Sequence, residues 1–115
     1  MKKTILTFVL LVSSTTIIFS QSQSELNAQA SSEYLQADKK LNQVYKQVMN
    51  NLSAPEIKAF ISSQKAWITY RDLECKFEAI GNEGGSMYSM VFSSCMTDIT
   101  KKRTQELKEI LNTER

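Results

Sequence analysis

The chain has 115 residues, of which 42% are hydrophobic and 23% are charged, which is the balance of one globular domain. It contains only three glycines and one proline, which excludes collagen-like and low-complexity proteins. Histidine is absent, so the chain lacks the commonest general base and the commonest metal ligand. Its two cysteines are too few for a zinc site built from cysteine alone. We therefore predict no catalytic residues, no metal site and no cofactor.

The first 22 residues have the pattern of a secretory signal peptide. Lys2 and Lys3 precede a short apolar run at residues 5–12, and a polar stretch of small residues follows. This run is too short for a membrane span, which needs roughly 20 consecutive apolar residues. We therefore predict cleavage between Ser20 and Ser24, with an uncleaved N-terminal anchor as the alternative. The protein is then exported, to the periplasm or outside the cell, as a single domain of residues 23–115.

Removal of Lys2 and Lys3 changes the charge of the protein. Twelve basic and twelve acidic residues remain in the mature chain. A chain without net charge has no general electrostatic attraction for nucleic acid or for an anionic membrane. We therefore expect neither as a partner.

Apolar residues recur at steps of three and four in three segments, the spacing of helices that bury one face. The segments cover about residues 25–52, 54–80 and 87–112. Their short connections predict that consecutive helices run antiparallel, and residues 53–56 have the pattern of a capping box. Gly81 is predicted to end the second helix in the left-handed conformation, and Ser86 to cap the third. The predicted fold is all-α, a small antiparallel three-helix bundle.

Export also bears on the two cysteines, because pairing is favoured in an oxidising compartment. Cys75 and Cys95 are separated by twenty positions, and closing such a loop stabilises a protein by roughly 3 kcal/mol. The alternative, a reactive thiol, needs an activating histidine or a nearby cation. We predict one structural disulfide that joins the second helix to the third.

Polar residues interrupt the buried stripe of the second helix. Gln64 occupies a core position and is expected to hydrogen-bond Asn42 or a neighbouring backbone group. Trp67 is predicted to be a core residue, with a binding hot spot as the alternative. The basic run at residues 101–103 is expected to lie on a solvated face.

Arg71 is the most conspicuous of these residues, because a partly buried guanidinium needs a carboxylate partner. The candidate partners are Asp38 on the first helix and Asp98 on the third. A surface anion site is the alternative, and Asp72 points about 100° away on its own helix.

Residues 64–75, QKAWITYRDLEC, resemble the Q-x-A-W-x-x-[YF]-R-D-x-x-C signature of the LprI-type lysozyme inhibitor domain family. The likeness continues through residues 83–87, EGGSM, to the second cysteine and to residues 100, 103 and 107, and residues 37–45, ADKKLNQVY, resemble the family's A-D-x-x-L-N-x-x-Y. It covers about residues 31–111. Members commonly carry another cysteine pair upstream, and residues 21–33 have none. The motif residues with a structural role are Asp38, Asn42, Gln64, Trp67, Arg71, Asp72, Gly84, Gly85 and Arg103.

The resemblance implies a small exported helical domain of bacterial envelopes that binds and blocks a lysozyme-type glycosidase. An envelope interaction or structural module with another protein partner is the alternative. We expect the contact surface on the loop at residues 81–88, with Glu83, Ser86 and Tyr88 as its contacting side chains. The competing interpretation is that Gly84, Gly85 and Ser86 only form the turn and cap the third helix.

Overall fold

The computed structural model describes residues 22–113, and within this range all regular structure is helical. The helices are α1 (Gln23–Met49), α2 (Ala54–Ala79) and α3 (Tyr88–Asn112), and a short 3-10 helix (Ile80–Asn82) follows α2. The predicted all-α class is therefore confirmed. The predicted signal peptide falls almost entirely outside the described residues, and its boundary stays a prediction.

The first helix begins earlier and ends earlier than its apolar spacing predicts. The Ser22 hydroxyl accepts a hydrogen bond from the backbone N–H of Glu25 at 3.2 Å, and this cap starts α1 at Gln23. At the other end, the N–H groups of Asn51 and Leu52 bond to carbonyls three residues back. This tight turn directs the chain into α2.

The second helix starts where the capping box predicts. The Glu56 carboxylate accepts hydrogen bonds from the backbone N–H and the hydroxyl of Ser53, at 3.2 and 2.8 Å. Pro55 lies in the first turn, where its missing N–H costs nothing.

Two predicted caps are wrong. Gly81 lies within the 3-10 helix, and Gly84 is the glycine with a positive φ, of 77°. Met87, not Ser86, is the N-cap of α3, and no side chain caps this helix. The 3-10 helix displaces the left-handed position by three residues, because it continues the winding of α2 before the chain turns.

Contacts between helices establish their directions. Tyr34 of α1 lies beside Arg71 of α2, whereas Tyr45 of α1 stacks on Phe60 of α2, so α1 and α2 are antiparallel. The disulfide reaches α3 near its start, and α3 returns antiparallel to α2. Consecutive helices are thus antiparallel as predicted, and α1 and α3 are parallel.

The backbones that approach most closely belong to α1 and α3, which are not consecutive in sequence. Small side chains permit this approach, because short residues let two helix axes come together. The small buried residues of these two helices are Ala30, Ala37, Ser93, Thr97, Thr100 and Thr104. Contacts between α1 and α2 depend instead on large side chains such as Tyr45 and Phe60.

The core has two parts. One consists of Leu41, Val44, Val48, Phe60 and Leu107. The other is centred on the disulfide and on Met96. Cys75 and Cys95 are bonded, with their Cα atoms 5.5 Å apart, which confirms the predicted pairing between α2 and α3.

Candidate functional site

Predicted motif residues of α2 and α3 meet at Trp67. The guanidinium of Arg71 lies 5.1 Å from the centroid of the Trp67 ring, and that of Arg103 from α3 lies at 5.9 Å. Arg71 also lies 5.6 Å from the ring centroid of Tyr34 on α1. Cation–π contacts of this kind are attractive within about 6 Å. These four residues, the Trp67 cluster, connect all three helices.

Arg103 of this cluster is hydrogen-bonded to Gln64 of α2. The Nε of Arg103 donates to Oε1 of Gln64 at 3.1 Å, and its Nη1 donates to Glu106 at 3.1 Å. Gln64 is therefore not paired with Asn42, which donates instead to Asp38 at 3.3 Å. Arg103 is half-buried, so it does not share the solvated face predicted for residues 101–103.

The partner predicted for Arg71 is wrong. Arg71 is 7% exposed, and its Nε and Nη2 both donate to Oδ1 of Asp72 at 3.0 Å. Asp98 is exposed on α3. Arg71 therefore pairs with the adjacent residue of its own helix, while its guanidinium also lies near the rings of Tyr34 and Trp67.

The two predicted motifs converge on a groove between α1 and α2. Asp38 and Asn42 line it from α1, and Gln64 and Arg71 line it from α2. Partial burial raises the pKa of the nearby Tyr34 phenol, the carboxylates of Asp38 and Asp72 raise this pKa too, and the charge of Arg71 opposes them.

The loop at residues 81–88, the glycine loop, has a defined conformation. The positive φ of 77° at position 84 favours glycine there. The N–H of Gly85 donates to the carbonyl of Asn82 at 2.9 Å, and a Cβ on Gly85 would lie 3.2 Å from that oxygen. The carbonyl of Ser86 accepts a hydrogen bond from the Asn27 side chain of α1 at 3.0 Å. These contacts fix the loop against the start of α1.

The three predicted contact residues lie together. Glu83, Ser86 and Tyr88 line one shallow depression with Asn27. Glu83 and Ser86 are exposed, whereas Tyr88 is half-buried and stacks on Phe92 with ring centroids 6.0 Å apart. This depression offers hydroxyl, amide and carboxylate groups to a partner.

A second apolar stripe, which was not predicted from the sequence, runs along α2 and ends on the 3-10 helix. Tyr70, Leu73, Phe77 and Ile80 follow one another at steps of three, four and three, and they are 57–71% exposed. This outer stripe points away from the side that bears Arg71 and Cys75, and it ends beside the glycine loop. The same spacing is visible in the sequence, but periodicity does not tell which of two stripes is buried.

The described residues contain no group of three or more acidic or cysteine side chains arranged to hold a metal ion. Among the helices of residues 22–113, none has the length and apolar character that crossing a bilayer requires.

Comparison with known proteins identifies the family. The family model described as "Lysozyme inhibitor LprI" matches residues 19–107. The chain belongs to the LprI lysozyme inhibitor family. An uncharacterized protein of Rhizobium meliloti (strain 1021) is 36% identical, over 78% of this chain and 74% of the relative. No solved structure matches the chain.

The family match covers the elements that the predicted motifs occupy. It includes α1, α2, the glycine loop and most of α3. The Trp67 cluster, the disulfide and the glycine loop therefore all lie within the segment that matches the LprI family model.

Proposed function

We propose that this LprI family member is a non-enzymatic inhibitor that binds a lysozyme-type glycosidase outside the cytoplasm. Family membership supports an inhibitor. The disulfide supports an oxidising compartment, because such bonds rarely persist in the cytosol.

The observation that carries the proposed contact surface is the fixed glycine loop with Glu83, Ser86 and Tyr88 around one depression. Lysozyme-type enzymes present two carboxyl groups in a cleft. Ser86 and Tyr88 have hydroxyl donors suited to such groups. A loop fixed before binding loses little conformational entropy in the complex, and the adjacent disulfide contributes to that rigidity.

The role of Glu83 differs from that of the two hydroxyl groups. An ionised glutamate is repelled by a catalytic carboxylate, so in this proposal Glu83 contacts the basic rim of the cleft. The outer stripe adjoins the loop through Ile80, and its exposed apolar side chains supply contact area beside the polar groups.

The test is inhibition of lysozymes of several types by the folded mature protein. The variant Ser86→Ala/Tyr88→Phe removes two hydroxyls but keeps the ring that stacks on Phe92. We expect inhibition to weaken at least about tenfold, as for the loss of hydrogen bonds to charged groups. The matched control is Tyr45→Phe/Ser94→Ala, which removes the same groups elsewhere.

Two outcomes would contradict the proposal. Inhibition unchanged in the folded loop variant would show that the glycine loop is only scaffold. Absence of inhibition of every lysozyme type would favour the alternative, an interaction module for another protein.

A second pair of variants locates the surface. Leu73→Ser/Phe77→Ser disrupts the outer stripe, and Leu35→Ser changes an apolar residue of α1 that is 63% exposed. Loss of inhibition with the first and not the second would extend the contact surface along α2.

A further inference from the structure

A groove runs between α1 and α3 on the side of this pair that α2 does not cover. Its floor contains Ala37 and Thr104, both nearly inaccessible to solvent. The groove exists because these floor residues are short, so the longer side chains on either side form its walls. The walls carry Lys40 from α1, and Lys101 and Lys108 from α3.

Within residues 22–113 the lysines of this groove form no ion pair with a carboxylate. Within residues 22–113 the ion pairs are Arg71–Asp72 and Arg103–Glu106, so none involves the three lysines. One glutamate, Glu33, also lines the groove, where it accepts a hydrogen bond from Gln29 at 3.3 Å. Three positive charges therefore face one negative charge, although the mature chain as a whole has no net charge.

We propose that this lysine groove binds a linear, flexible polyanion. Lys101 and Lys108 are two turns apart on α3, about 10 Å along the axis at 1.5 Å per residue. One small anion is too short to reach both positions and Lys40 on the opposite wall. A chain of regularly spaced anionic groups engages all three lysines together and releases their counterions.

The lining of the groove favours a polyanion without bases. The groove lies between two neighbouring helices, and packed helices have axes about 8–10 Å apart, so it offers a narrow track for one extended chain. Single-stranded nucleic acid is usually held by aromatic side chains that stack on bases. None of the described residues that line the groove is aromatic.

A lysine ammonium is a point charge and does not distinguish phosphate from carboxylate by geometry. The shared chemistry is therefore a repeated anionic group on a flexible chain. Long-chain inorganic polyphosphate and poly-glutamate are two probes that separate the two kinds of anion, and orthophosphate serves as the monomeric reference.

The experiment measures binding of each probe to the mature protein by calorimetry over a range of salt concentrations. For three contacts we expect a slope of log K against log salt concentration of about −2, and much weaker binding of orthophosphate. The variant Lys40→Gln/Lys101→Gln/Lys108→Gln should lower the affinity at least about tenfold. The control Lys58→Gln/Lys65→Gln/Lys76→Gln removes the same charge from exposed positions of α2 and should bind almost like the wild type.

A second variant tests the shape of the groove without changing charge. Gln105 lines the groove, and Gln105→Trp should obstruct it and weaken binding. Gln43→Trp places the same ring at an exposed site of α1 outside the groove and should not.

Three results would overturn the proposal. The first is that the wild type binds neither polymer, and the second is that the two triple-lysine variants lose the same affinity. The third is that the wild type binds duplex DNA or anionic vesicles as tightly as it binds the polymers. Circular dichroism of every variant confirms that loss of binding does not reflect loss of the fold.

Discussion

Gln64 of α2 accepts a hydrogen bond from the Nε of Arg103 of α3 at 3.1 Å, and the Arg103 guanidinium also lies near the ring of Trp67. Gln64 is 7% exposed, and a buried amide that loses its partner costs free energy. This contact explains why a glutamine and an arginine occupy positions where helical spacing predicts apolar core residues.

A double-mutant cycle tests the coupling of these two residues. Gln64→Leu and Arg103→Met should each lower the free energy of unfolding, and their combined effect should be smaller than the sum. We expect a coupling energy of about 1–2 kcal/mol, as for hydrogen bonds to charged groups. Urea denaturation measures it, and strictly additive effects would contradict the contact.

Arg71→Ala should destabilise the protein by about 2–3 kcal/mol, because it removes the hydrogen bonds to Asp72 and the contacts with two aromatic rings. Asp72→Asn should cost less, since the Asp72 side chain is 43% exposed. Asp98→Asn is the control and should leave the melting temperature unchanged. A larger loss for Asp98→Asn than for Asp72→Asn would contradict the observed pairing.

Replacement of both Cys75 and Cys95 by serine should lower the free energy of unfolding by about 2–4 kcal/mol, chiefly because the unfolded chain gains freedom. The helix content measured by circular dichroism should remain, because the core around Leu41, Val48 and Leu107 does not depend on the disulfide. Titration of the unfolded, unreduced wild type should find no free thiol.

The hydroxyl of Thr100 is buried without a hydrogen-bond partner within the described part of the chain. Thr100→Val keeps the shape of the side chain and should raise the free energy of unfolding by about 1 kcal/mol. Thr104→Val is the matched control, because the Thr104 hydroxyl donates to the carbonyl of Thr100 at 2.9 Å. This second change should not stabilise the protein, and equal stabilisation by both would refute the assignment.

The raised pKa of Tyr34 predicts a dependence of stability on alkaline pH. Its pKa in the folded protein lies above the ordinary value of 10.0, so the unfolded chain loses the phenolic proton first. The contribution of Tyr34 to stability is complete below pH 10.0 and is lost as the pH rises through the folded pKa. The free energy of unfolding of the wild type should therefore fall relative to that of Tyr34→Phe at alkaline pH, and parallel pH profiles would contradict the shift.

The helices, the capping box of α2 and the disulfide could all be predicted from the order of residues. These features follow from local rules: helical spacing, the hydrogen bonds of a helix terminus, and the pairing of two cysteines in an oxidising compartment. The left-handed conformation of Gly84 was harder to predict, because the 3-10 helix that precedes this residue depends on how α2 ends.

The tertiary structure alone decided which groups meet. Helical spacing predicts the direction in which a side chain points on its own helix. It does not predict which neighbouring helix that side chain contacts. Arg71 therefore pairs with Asp72 rather than with Asp38 or Asp98. Likewise, α2 carries two apolar stripes, and only the packing of α1 and α3 leaves the one with Leu73 and Phe77 exposed.

The lysine groove also could not be predicted from the sequence. The acidic and basic residues that follow the predicted signal peptide balance each other, and Lys40 and Lys101 are far apart in the chain. They come together because small residues let α1 and α3, which are not consecutive, pack most closely. A local pattern thus determines each helix. The arrangement of charges between helices depends instead on which side chains face each other across an interface and on their volumes, and local patterns do not reveal that pairing.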